Sequence, residues 1–350
     1  MAKRIVIMAG GTGGHVFPAL AVAEYLADQG WQVSWLGTHK GLESRVIPER
    51  GIEIDWLSVA GVRGKGLIFK LTALVKLLLS CWQALQILRR RKPDVVLGMG
   101  GFVAGPGGLM ARVLGIPLVI HEQNRVPGTT NKLLARFANR VLEAFPGSFK
   151  AAVNAECTGN PLRKAFSVQR NNSRQTSEAV LHILVIGGSQ GAKVLNETVP
   201  EALKLVDGIQ VKHQTGAAMQ AEVTARYQAL GIDAEVSAFF EDMNAIYQWA
   251  DLIICRAGAM TVSEVAALGL PAIFVPLPGA IDDHQNANAR YLTEAGGGLL
   301  MPQHEMTPEK LAEKISNARL RLAKLSQAAR SMARLDATET VAQHCIREAR

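Results

Sequence analysis

The chain alternates short apolar, β-branched runs with longer segments of helical periodicity almost to its end. Such alternation is typical of βα units around parallel sheets, because each buried strand is followed by a helix that crosses back over the sheet. We therefore predict an α/β protein. Its predicted strands are residues 5–8, 32–36, 53–57, 95–97, 118–121, 140–143, 181–186, 210–213, 235–238, 252–254, 272–275 and 299–301.

The predicted strands form two series that open in the same way. Each begins with a strand, a glycine cluster and a helix, around residues 7–14 in the first series and residues 185–191 in the second. Between the two series lies the polar segment 167–178, whose composition is typical of a linker. The repeat predicts two Rossmann-like, doubly wound domains. We expect them to face a central cleft, because ligands of such folds bind at the carboxyl ends of the strands.

The glycine clusters predict sites for an anion, because glycines let backbone amides approach it and the following helix adds a favourable dipole. The first cluster departs from the G-x-G-x-x-G dinucleotide fingerprint at Val16, and no acidic residue ends the second predicted strand. The second cluster departs from Walker A at Ala192 and Val194. NAD binding and ATP hydrolysis are thus disfavoured. Tight βα turns are the alternative, which the further clusters at 98–101 and 105–108 make less attractive.

Composition excludes several other classes of protein. The chain has 350 residues, of which 48% are hydrophobic, and its mean hydropathy is +0.12. Its longest apolar run, residues 71–79, is interrupted by Lys76 and is far shorter than the roughly 20 residues that span a bilayer. The start is too short in apolar residues for a secretory signal, so we expect a cytoplasmic protein. Four scattered cysteines and the lack of a D-x-D motif predict neither disulfides nor a metal site.

The positive charge is concentrated in one segment. The formal net charge is +8, and residues 56–93 contain eight Lys and Arg but no Asp or Glu, which predicts an anionic partner. Helical periodicity over residues 67–91 predicts a core-facing stripe. Its members are Leu71, Leu74, Val75, Leu78, Trp82 and Leu85. The opposite face predicts shallow insertion into an anionic membrane, with a merely solvated basic face as the alternative. The predicted membrane-binding residues are Phe69, Lys70, Ala73, Lys76 and Leu77.

Six motifs carry a resemblance to a known family. They are GGTGGHVFPA (10–19), GMGGFVAGPGG (98–108), HEQN (121–124), GNPLR (159–163), GGSQGA (187–192) and RAGAMTVSE (256–264). Together, and in this order, they resemble the MurG family of bacterial GT-B glycosyltransferases over nearly the whole chain. The resemblance implies inverting, metal-independent transfer of N-acetylglucosamine (GlcNAc) from UDP-GlcNAc to the C4 hydroxyl of MurNAc in undecaprenyl-diphospho-MurNAc-pentapeptide (lipid I). The product is lipid II, the precursor for peptidoglycan synthesis.

The resemblance also implies roles for individual residues. His15 would be the base on the acceptor hydroxyl, since a histidine with a pKa near 6.5 accepts a proton at neutral pH; helix capping or a hydrogen bond to phosphate are its alternatives. Glu264 would bind the ribose hydroxyls of UDP, with a helix capping box as its alternative. Phe240 would lie by uracil, and Gln285 and Asn124 would contact the GlcNAc. The other implied UDP-GlcNAc contacts are Thr12, Gly13, Gly14, Arg163, Ser189, Ala259, Met260, Thr261, Val262 and Ser263.

The domain organisation follows from the same resemblance. Residues 1–162 and 336–350 would form the acceptor- and membrane-binding domain, with a final helix near 338–349 packed on it, and residues 163–335 would form the UDP-GlcNAc domain. The implied partners are UDP-GlcNAc, lipid I, an anionic membrane at the cytoplasmic face of the cell membrane, and other cell-wall synthesis proteins. No cofactor and no nucleic acid are implied. The alternatives are another lipid-acceptor GT-B enzyme, a nicotinamide oxidoreductase and a non-catalytic UDP-sugar-binding protein.

Overall fold

The structure is a computed structural model that describes residues 2–59, 67–166, 180–188 and 191–349. The predicted linker at 167–178 and the predicted donor contact Ser189 lie outside the described residues. The chain divides into two compact units. The first unit comprises Met1–Arg163 and Arg334–Arg350, and the second comprises Lys164–Ala333.

The first unit is built on a parallel sheet. Its strands are β1 (Arg4–Met8), β2 (Gln32–Gly37), β3 (Glu53–Trp56), β4 (Val95–Gly98), β5 (Leu118–Glu122), β6 (Arg140–Glu143) and β7 (Glu156–Cys157). Among the described residues they pair in the order β3-β2-β1-β4-β5-β6-β7, and each pair is parallel. The helices that precede the second unit are α1 (Gly13–Asp28), α2 (Glu43–Val46), α3 (Leu67–Arg91), α4 (Gly101–Val113) and α5 (Thr129–Leu134).

The second unit repeats this architecture. Its strands are β8 (Leu181–Ile186), β9 (Ile209–Gln214), β10 (Ala234–Ser237), β11 (Leu252–Cys255), β12 (Ala272–Phe274) and β13 (Leu299–Leu300). They pair in parallel in the order β10-β9-β8-β11-β12-β13. The helices are α6 (Lys193–Leu203), α7 (Gln220–Leu230), α8 (Met243–Trp249), α9 (Ala259–Leu268), α10 (His284–Thr293), α11 (Pro308–Arg319), α12 (Leu322–Ser331) and, back in the first unit, α13 (Ala337–Glu348).

The predicted strands are all present, and no end differs from the prediction by more than one residue. The strands could be located from their apolar runs because helices cover parallel strands on both faces. β4 and β5, for example, are buried at every position. Strand β7 was not predicted, since two residues are too few to give a pattern.

Each sheet has a topological switch point, and glycine clusters follow the strands that flank it. β1 lies between β2 and β4, and β8 lies between β9 and β11. At such a point the connections leave on opposite faces of the sheet and open a crevice at the carboxyl ends of the strands. The clusters at 10–14 and 98–101 follow β1 and β4, while Gly187 and Gly188 follow β8.

Helix α13 completes the core of the first unit from the far end of the sequence. Its residues Val341, Ala342 and Cys345 are fully buried among apolar side chains of β1 and α1. The Leu162 amide donates to Oγ1 of Thr338 at 3.1 Å, and that hydroxyl donates to the Leu162 carbonyl at 3.0 Å. The last helix therefore packs on the first unit, which the chain leaves and re-enters.

Helix α3 does not bury the stripe that its periodicity predicts, and that prediction is wrong. The exposed members are Leu74, Val75, Leu78 and Trp82. The side chain of Leu71 is outside the described residues. The helix instead buries Ser80, Ala84 and Leu88 in its C-terminal half. Leu77, Leu78 and Leu79 are consecutive and all exposed, because no single face can cover three successive residues of a helix. None of the described helices is both long and apolar enough to cross a bilayer.

The cluster at 105–108 is not a loop, which corrects another prediction. Gly105, Gly107 and Gly108 lie inside α4. A Cβ at position 107 would lie 2.2 Å from Sδ of Met8, and one at position 108 would lie 2.9 Å from the side chain of Leu134. These glycines therefore let α4 approach the sheet and α5 closely.

Candidate active site

The glycine loop after β1, residues 10–14 (the first glycine loop), is held by hydrogen bonds to a buried carboxylate. Oε2 of Glu43, on α2, accepts the amide of Gly11 at 2.9 Å. Its Oε1 accepts the Thr38 amide at 2.9 Å and the Thr38 hydroxyl at 2.8 Å. Glu43 is fully buried, and hydrogen bonds of this kind offset the cost of burying a carboxylate. One amide of the loop thus binds an internal anion, which sequence reasoning missed because the two residues are far apart in the chain.

The glycine loop at the end of β4, residues 98–101, packs directly against the loop after β1, residues 10–14. Gly100 and Gly101 have φ angles of 90° and 78°, in the left-handed region that favours glycine. A Cβ at position 101 would lie 2.6 Å from the carbonyl oxygen of Gly10. Contact between the two loops therefore requires glycine at position 101 both for its backbone conformation and for space.

His15 lies on the first turn of α1, beside both loops. The N-cap of this helix is Thr12, so the capping alternative for His15 is wrong. Nδ1 of His15 lies 2.7 Å from Oε1 of Gln123, and a Cβ at Gly100 would lie 3.1 Å from the imidazole ring. Within the described part of the chain, no hydrogen bond or ion pair engages Nε2 of His15. The ring is thus held at one nitrogen and offers the other.

The carboxyl end of β5 and the residues that follow it form a buried polar network beside His15. His121, Glu122 and Gln123 are almost fully buried. Oε1 of Glu122 accepts the Asn124 amide at 2.9 Å and its side-chain nitrogen at 3.2 Å, while Oε2 accepts the amide of Gly128 at 3.0 Å. The predicted donor contact Asn124 is therefore positioned by Glu122, for which the sequence had suggested no role.

Arg163 lies in the first unit, although its predicted domain was the second. Its guanidinium carbon is 5.3 Å from the centroid of the Phe17 ring, within the range of a cation–π contact. A Cβ at Gly13 would lie 2.8 Å from the same ring. Arg163, Phe17 and the first glycine loop thus form one cluster.

In the second unit, Gln214 connects the glycine loop after β8 to Phe240. Its side-chain nitrogen donates to the Gly188 carbonyl at 3.1 Å, and its Oε1 accepts the Phe240 amide at 3.2 Å. A Cβ at Gly191 would lie 1.9 Å from the carbonyl oxygen of Thr215, so this end of the loop also requires glycine. The predicted uracil contact Phe240 is consequently fixed beside the loop.

Helix α9 carries the largest group of predicted donor contacts. It begins after the N-cap Gly258, so residues 259–264 form its first turn and a half. Glu264 is too far into the helix to cap it, and the capping-box alternative is wrong. Instead, Oε2 of Glu264 accepts the hydroxyl of Tyr247 at 3.0 Å. Tyr247, on α8, was not singled out from the sequence because no local pattern links it to α9.

The strands beside α9 are tied together by two further side chains. Nη1 of Arg256 donates to the carbonyls of Val275 at 3.0 Å and Pro276 at 3.2 Å, and burial lowers the pKa of this guanidinium. Oε1 of the predicted GlcNAc contact Gln285 accepts the Leu277 amide at 2.9 Å. Both side chains hold the loop after β12, next to the N-terminus of α9.

The structure thus gathers the predicted residues into one group per unit. The first unit contains Thr12, Gly13, Gly14, His15, Asn124 and Arg163, and the second contains Phe240, Ala259, Met260, Thr261, Val262, Ser263, Glu264 and Gln285. Within the described ranges, no group of three or more His, Cys, Asp or Glu side chains is arranged to hold a metal ion.

The surface of α3 forms a third feature. Lys76 and Leu77 are exposed, whereas the side chains of Phe69, Lys70 and Ala73 lie outside the described residues. At the other end of the helix, Arg91 donates from Nε to Asp55 at 2.7 Å, and Arg90 also pairs with Asp55. Part of the basic segment is therefore neutralised within the protein.

Two doubly wound parallel-sheet domains with glycine loops at both switch points are the architecture of the GT-B glycosyltransferases, so the predicted fold class is confirmed. The model of the glycosyltransferase family 28 N-terminal domain matches residues 5–143. The model of the corresponding C-terminal domain matches residues 182–344.

Comparison with similar proteins shows which family within glycosyltransferase family 28 the chain resembles. UDP-N-acetylglucosamine--N-acetylmuramyl-(pentapeptide) pyrophosphoryl-undecaprenol N-acetylglucosamine transferase of Methylococcus capsulatus is 61% identical, over 100% of this chain and 99% of that protein. The protein of the same name from Shewanella oneidensis is 52% identical, over 98% and 97% of the two chains. The crystal structure of Acinetobacter baumannii MurG is 42% identical, covers 99% of both chains and superposes with a TM-score of 0.84. The chain belongs to the MurG family within glycosyltransferase family 28.

Proposed function

We propose that the chain transfers GlcNAc from UDP-GlcNAc to the C4 hydroxyl of MurNAc in lipid I, which gives lipid II and UDP. The observation that carries this proposal is the name of its full-length relatives at 61% and 52% identity, which states both the donor and the undecaprenol-linked acceptor. The motifs at 10–19, 98–108 and 256–264 follow strands β1, β4 and β11 at the switch points of the two units, which supports a reaction at those positions.

The second unit supplies most of the donor site. The first turn of α9 directs backbone N–H groups outward, toward the diphosphate, because a helix N-terminus attracts anions. Glu264 accepts hydrogen bonds from the ribose hydroxyls, and Phe240 lies against uracil. The hydrogen bond that Tyr247 donates to Glu264 and the one that the Phe240 amide donates to Gln214 support these roles, since they hold both groups in place. The further donor contacts are Thr12, Gly13, Gly14, Asn124, Arg163, Ser189, Ala259, Met260, Thr261, Val262, Ser263 and Gln285.

His15 is the general base. Its Nε2 takes the proton of the C4 hydroxyl as the hydroxyl oxygen attacks C1 of GlcNAc from the face opposite UDP. The bond between C1 and the UDP oxygen breaks, the configuration at C1 inverts, and UDP leaves with the bonding electron pair. The amides at the N-terminus of α9 stabilise the charge that develops on the leaving diphosphate, so that the transfer requires neither a metal ion nor a cofactor.

Transfer of radiolabel from UDP-GlcNAc to a lipid I analogue tests the proposal. The reaction is run with EDTA, and diacylglycerol serves as the alternative acceptor. Labelled lipid II in the presence of EDTA is the expected product. Label on diacylglycerol alone would assign the chain to another class of lipid glycosyltransferase, and turnover that depends on a divalent metal would contradict the charge-stabilising role of α9.

The exposed half of α3 is the membrane-binding surface. Leu74, Leu78 and Trp82 are apolar and exposed, and Lys76 lies among them. Apolar side chains beside lysines suit shallow insertion into an anionic leaflet, and the lipid-linked acceptor gives the enzyme a reason to bind there. We therefore assign the protein to the cytoplasmic face of the cell membrane, where other cell-wall synthesis proteins are its further partners.

A further inference from the structure

A chain of hydrogen bonds leads from a backbone carbonyl to His15. It begins at Gly159, whose carbonyl oxygen lies 2.9 Å from Nε2 of His121. A carbonyl oxygen only accepts hydrogen bonds, so Nε2 of His121 carries a hydrogen. Burial lowers the pKa of His121 to about 4, which keeps the ring neutral at pH 7. A neutral imidazole has one N–H, and Nδ1 of His121 is therefore an acceptor.

Gln123 continues this chain in a single orientation. Its side-chain nitrogen lies 3.0 Å from Nδ1 of His121 and 3.0 Å from the backbone carbonyl of His121. Both atoms accept hydrogen bonds, so the amide nitrogen must face them and Oε1 must face away. Oε1 is then the atom 2.7 Å from Nδ1 of His15. Because an amide oxygen only accepts, Nδ1 of His15 donates to it.

We propose that Gln123 and His121 are positioning residues that hold His15 in the tautomer with hydrogen on Nδ1, which leaves the lone pair of Nε2 for the acceptor hydroxyl. The inference rests on the proposed function for its catalytic consequence, but the tautomer itself is a property of the free protein. The two positioning residues are almost fully buried, so water does not compete for their hydrogen bonds. They act through His15 and touch no substrate.

The chain of hydrogen bonds from Gly159 through His121 and Gln123 to His15 is called the relay below. The order of its donor and acceptor atoms explains why an amide is found at position 123. A carboxylate there would also accept from Nδ1 of His15, but its second oxygen would face the lone pair of Nδ1 of His121, and two acceptors would oppose each other. The amide supplies one acceptor toward His15 and one donor toward His121. The relay therefore orients the base with neutral groups only.

Nitrogen NMR of the full chain labelled with ¹⁵N-histidine tests the tautomer directly. The signals of His15 are identified by their loss in His15→Gln. We expect a protonated Nδ1 and an unprotonated Nε2 in the neutral ring of the wild-type protein. A ring with hydrogen on Nε2 would overturn the proposal even if lipid II forms. If lipid II does not form but the expected tautomer is observed, the proposed function fails and the relay stands.

Substitutions then test whether Gln123 and His121 cause the tautomer of His15. Gln123→Met should give a mixture of His15 tautomers and lower kcat by about 10- to 100-fold, with KM for UDP-GlcNAc within about twofold. His121→Asn retains an acceptor near the position of Nδ1 and should preserve both the tautomer and most of kcat, whereas His121→Leu should not. Gln210→Met, at an exposed position on β9, is the matched control. An unchanged tautomer and kcat in Gln123→Met would overturn the proposal.

Discussion

The hydroxyl of Tyr247 donates a hydrogen bond to Oε2 of Glu264 at 3.0 Å. The tyrosine is buried on α8 and the glutamate lies on α9, so the bond joins two helices of the second unit. Its effect is to restrict the rotation of the Glu264 carboxylate. A carboxylate that is already oriented loses less entropy when it binds a ribose, which supports its role in donor binding.

Loss of the Glu264 carboxylate should weaken donor binding. A lost buried hydrogen bond costs about 1 to 3 kcal/mol, so Glu264→Ala should raise KM for UDP-GlcNAc about fivefold or more. Tyr247→Phe should raise it by less, because the carboxylate remains and only its orientation is lost. Steady-state kinetics with varied UDP-GlcNAc measure both effects, with Glu313→Ala, on an exposed position of α11, as the control. An unchanged KM in Glu264→Ala would remove this residue from the donor site.

Loss of the imidazole at position 15 should affect turnover rather than donor affinity. His15→Gln should lower kcat about 10²- to 10⁴-fold, the range typical of a missing general base, with little change in KM for UDP-GlcNAc. His304→Gln, whose side chain is largely exposed in the second unit, should behave as wild type. Wild-type kcat with only a raised KM would show that His15 binds substrate but does not act as the base.

The contact between the two glycine loops should make position 101 intolerant of alanine. Gly115→Ala is a matched control, because Gly115 has a φ of 68° but nothing within 4 Å of its Cβ position. The control should lose about 1 kcal/mol of unfolding free energy from backbone conformation alone. Gly101→Ala should lose more, together with kcat, because its Cβ also collides with the Gly10 carbonyl. Urea unfolding measures the difference, and equal losses would show that the loops separate at no cost.

Charge reversal on α3 should release the protein from anionic vesicles. Each basic residue near such a surface contributes about 1 kcal/mol, so Lys76→Glu should weaken binding at least fivefold in low salt. The double substitution Leu78→Glu and Trp82→Glu should abolish it. Leu320→Glu alters a residue that is 88% exposed on the second unit and should have no effect. Unchanged sedimentation of the double variant with phosphatidylglycerol vesicles would assign membrane binding to another surface.

Acidification should destabilise both units, because each buries a neutral histidine. Burial lowers the pKa of His121 to about 4 and that of His213 to about 3, from 6.5. The unfolded chain therefore binds protons first as pH falls below 6.5, and the unfolding free energy falls with it by up to roughly 1.4 kcal/mol per pH unit for each histidine. Urea unfolding at pH 7 and pH 5 should show the loss, and His121→Asn should reduce it. Equal stability at both pH values would contradict the prediction.

The sheets could be predicted from the sequence because a parallel strand that is buried on both faces has a continuous run of apolar residues. Even short strands such as β12 gave a readable signal, since their neighbours in the chain are helices of a different period. Periodicity failed at α3 because an apolar face has the same pattern in the sequence whether the protein buries it or leaves it exposed. It also failed at Gly107 and Gly108, where a composition typical of loops serves close helix packing.

The site could be predicted only where a motif holds its residues close together. The motif at 256–264 located the N-terminus of α9, but Tyr247 supports Glu264 from α8 and left no local signal. Gln214, which links Gly188 to Phe240, left none either. Glu43 is separated from Gly11 by more than thirty residues. Such hydrogen-bond partners are brought together by the tertiary fold. A single sequence does not indicate which side chains that are distant in the chain will contact each other.

The return of α13 to the first unit has a consequence for the order of events during synthesis. The ribosome makes all of the second unit before residues 337–348 emerge, so the β1 and α1 surface that receives Val341 and Cys345 stays open to solvent through half of translation. The second unit, contiguous in the chain, can mature while still tethered to the ribosome, as domains generally fold as units. We expect the nascent first unit to need protection by chaperones until α13 has emerged.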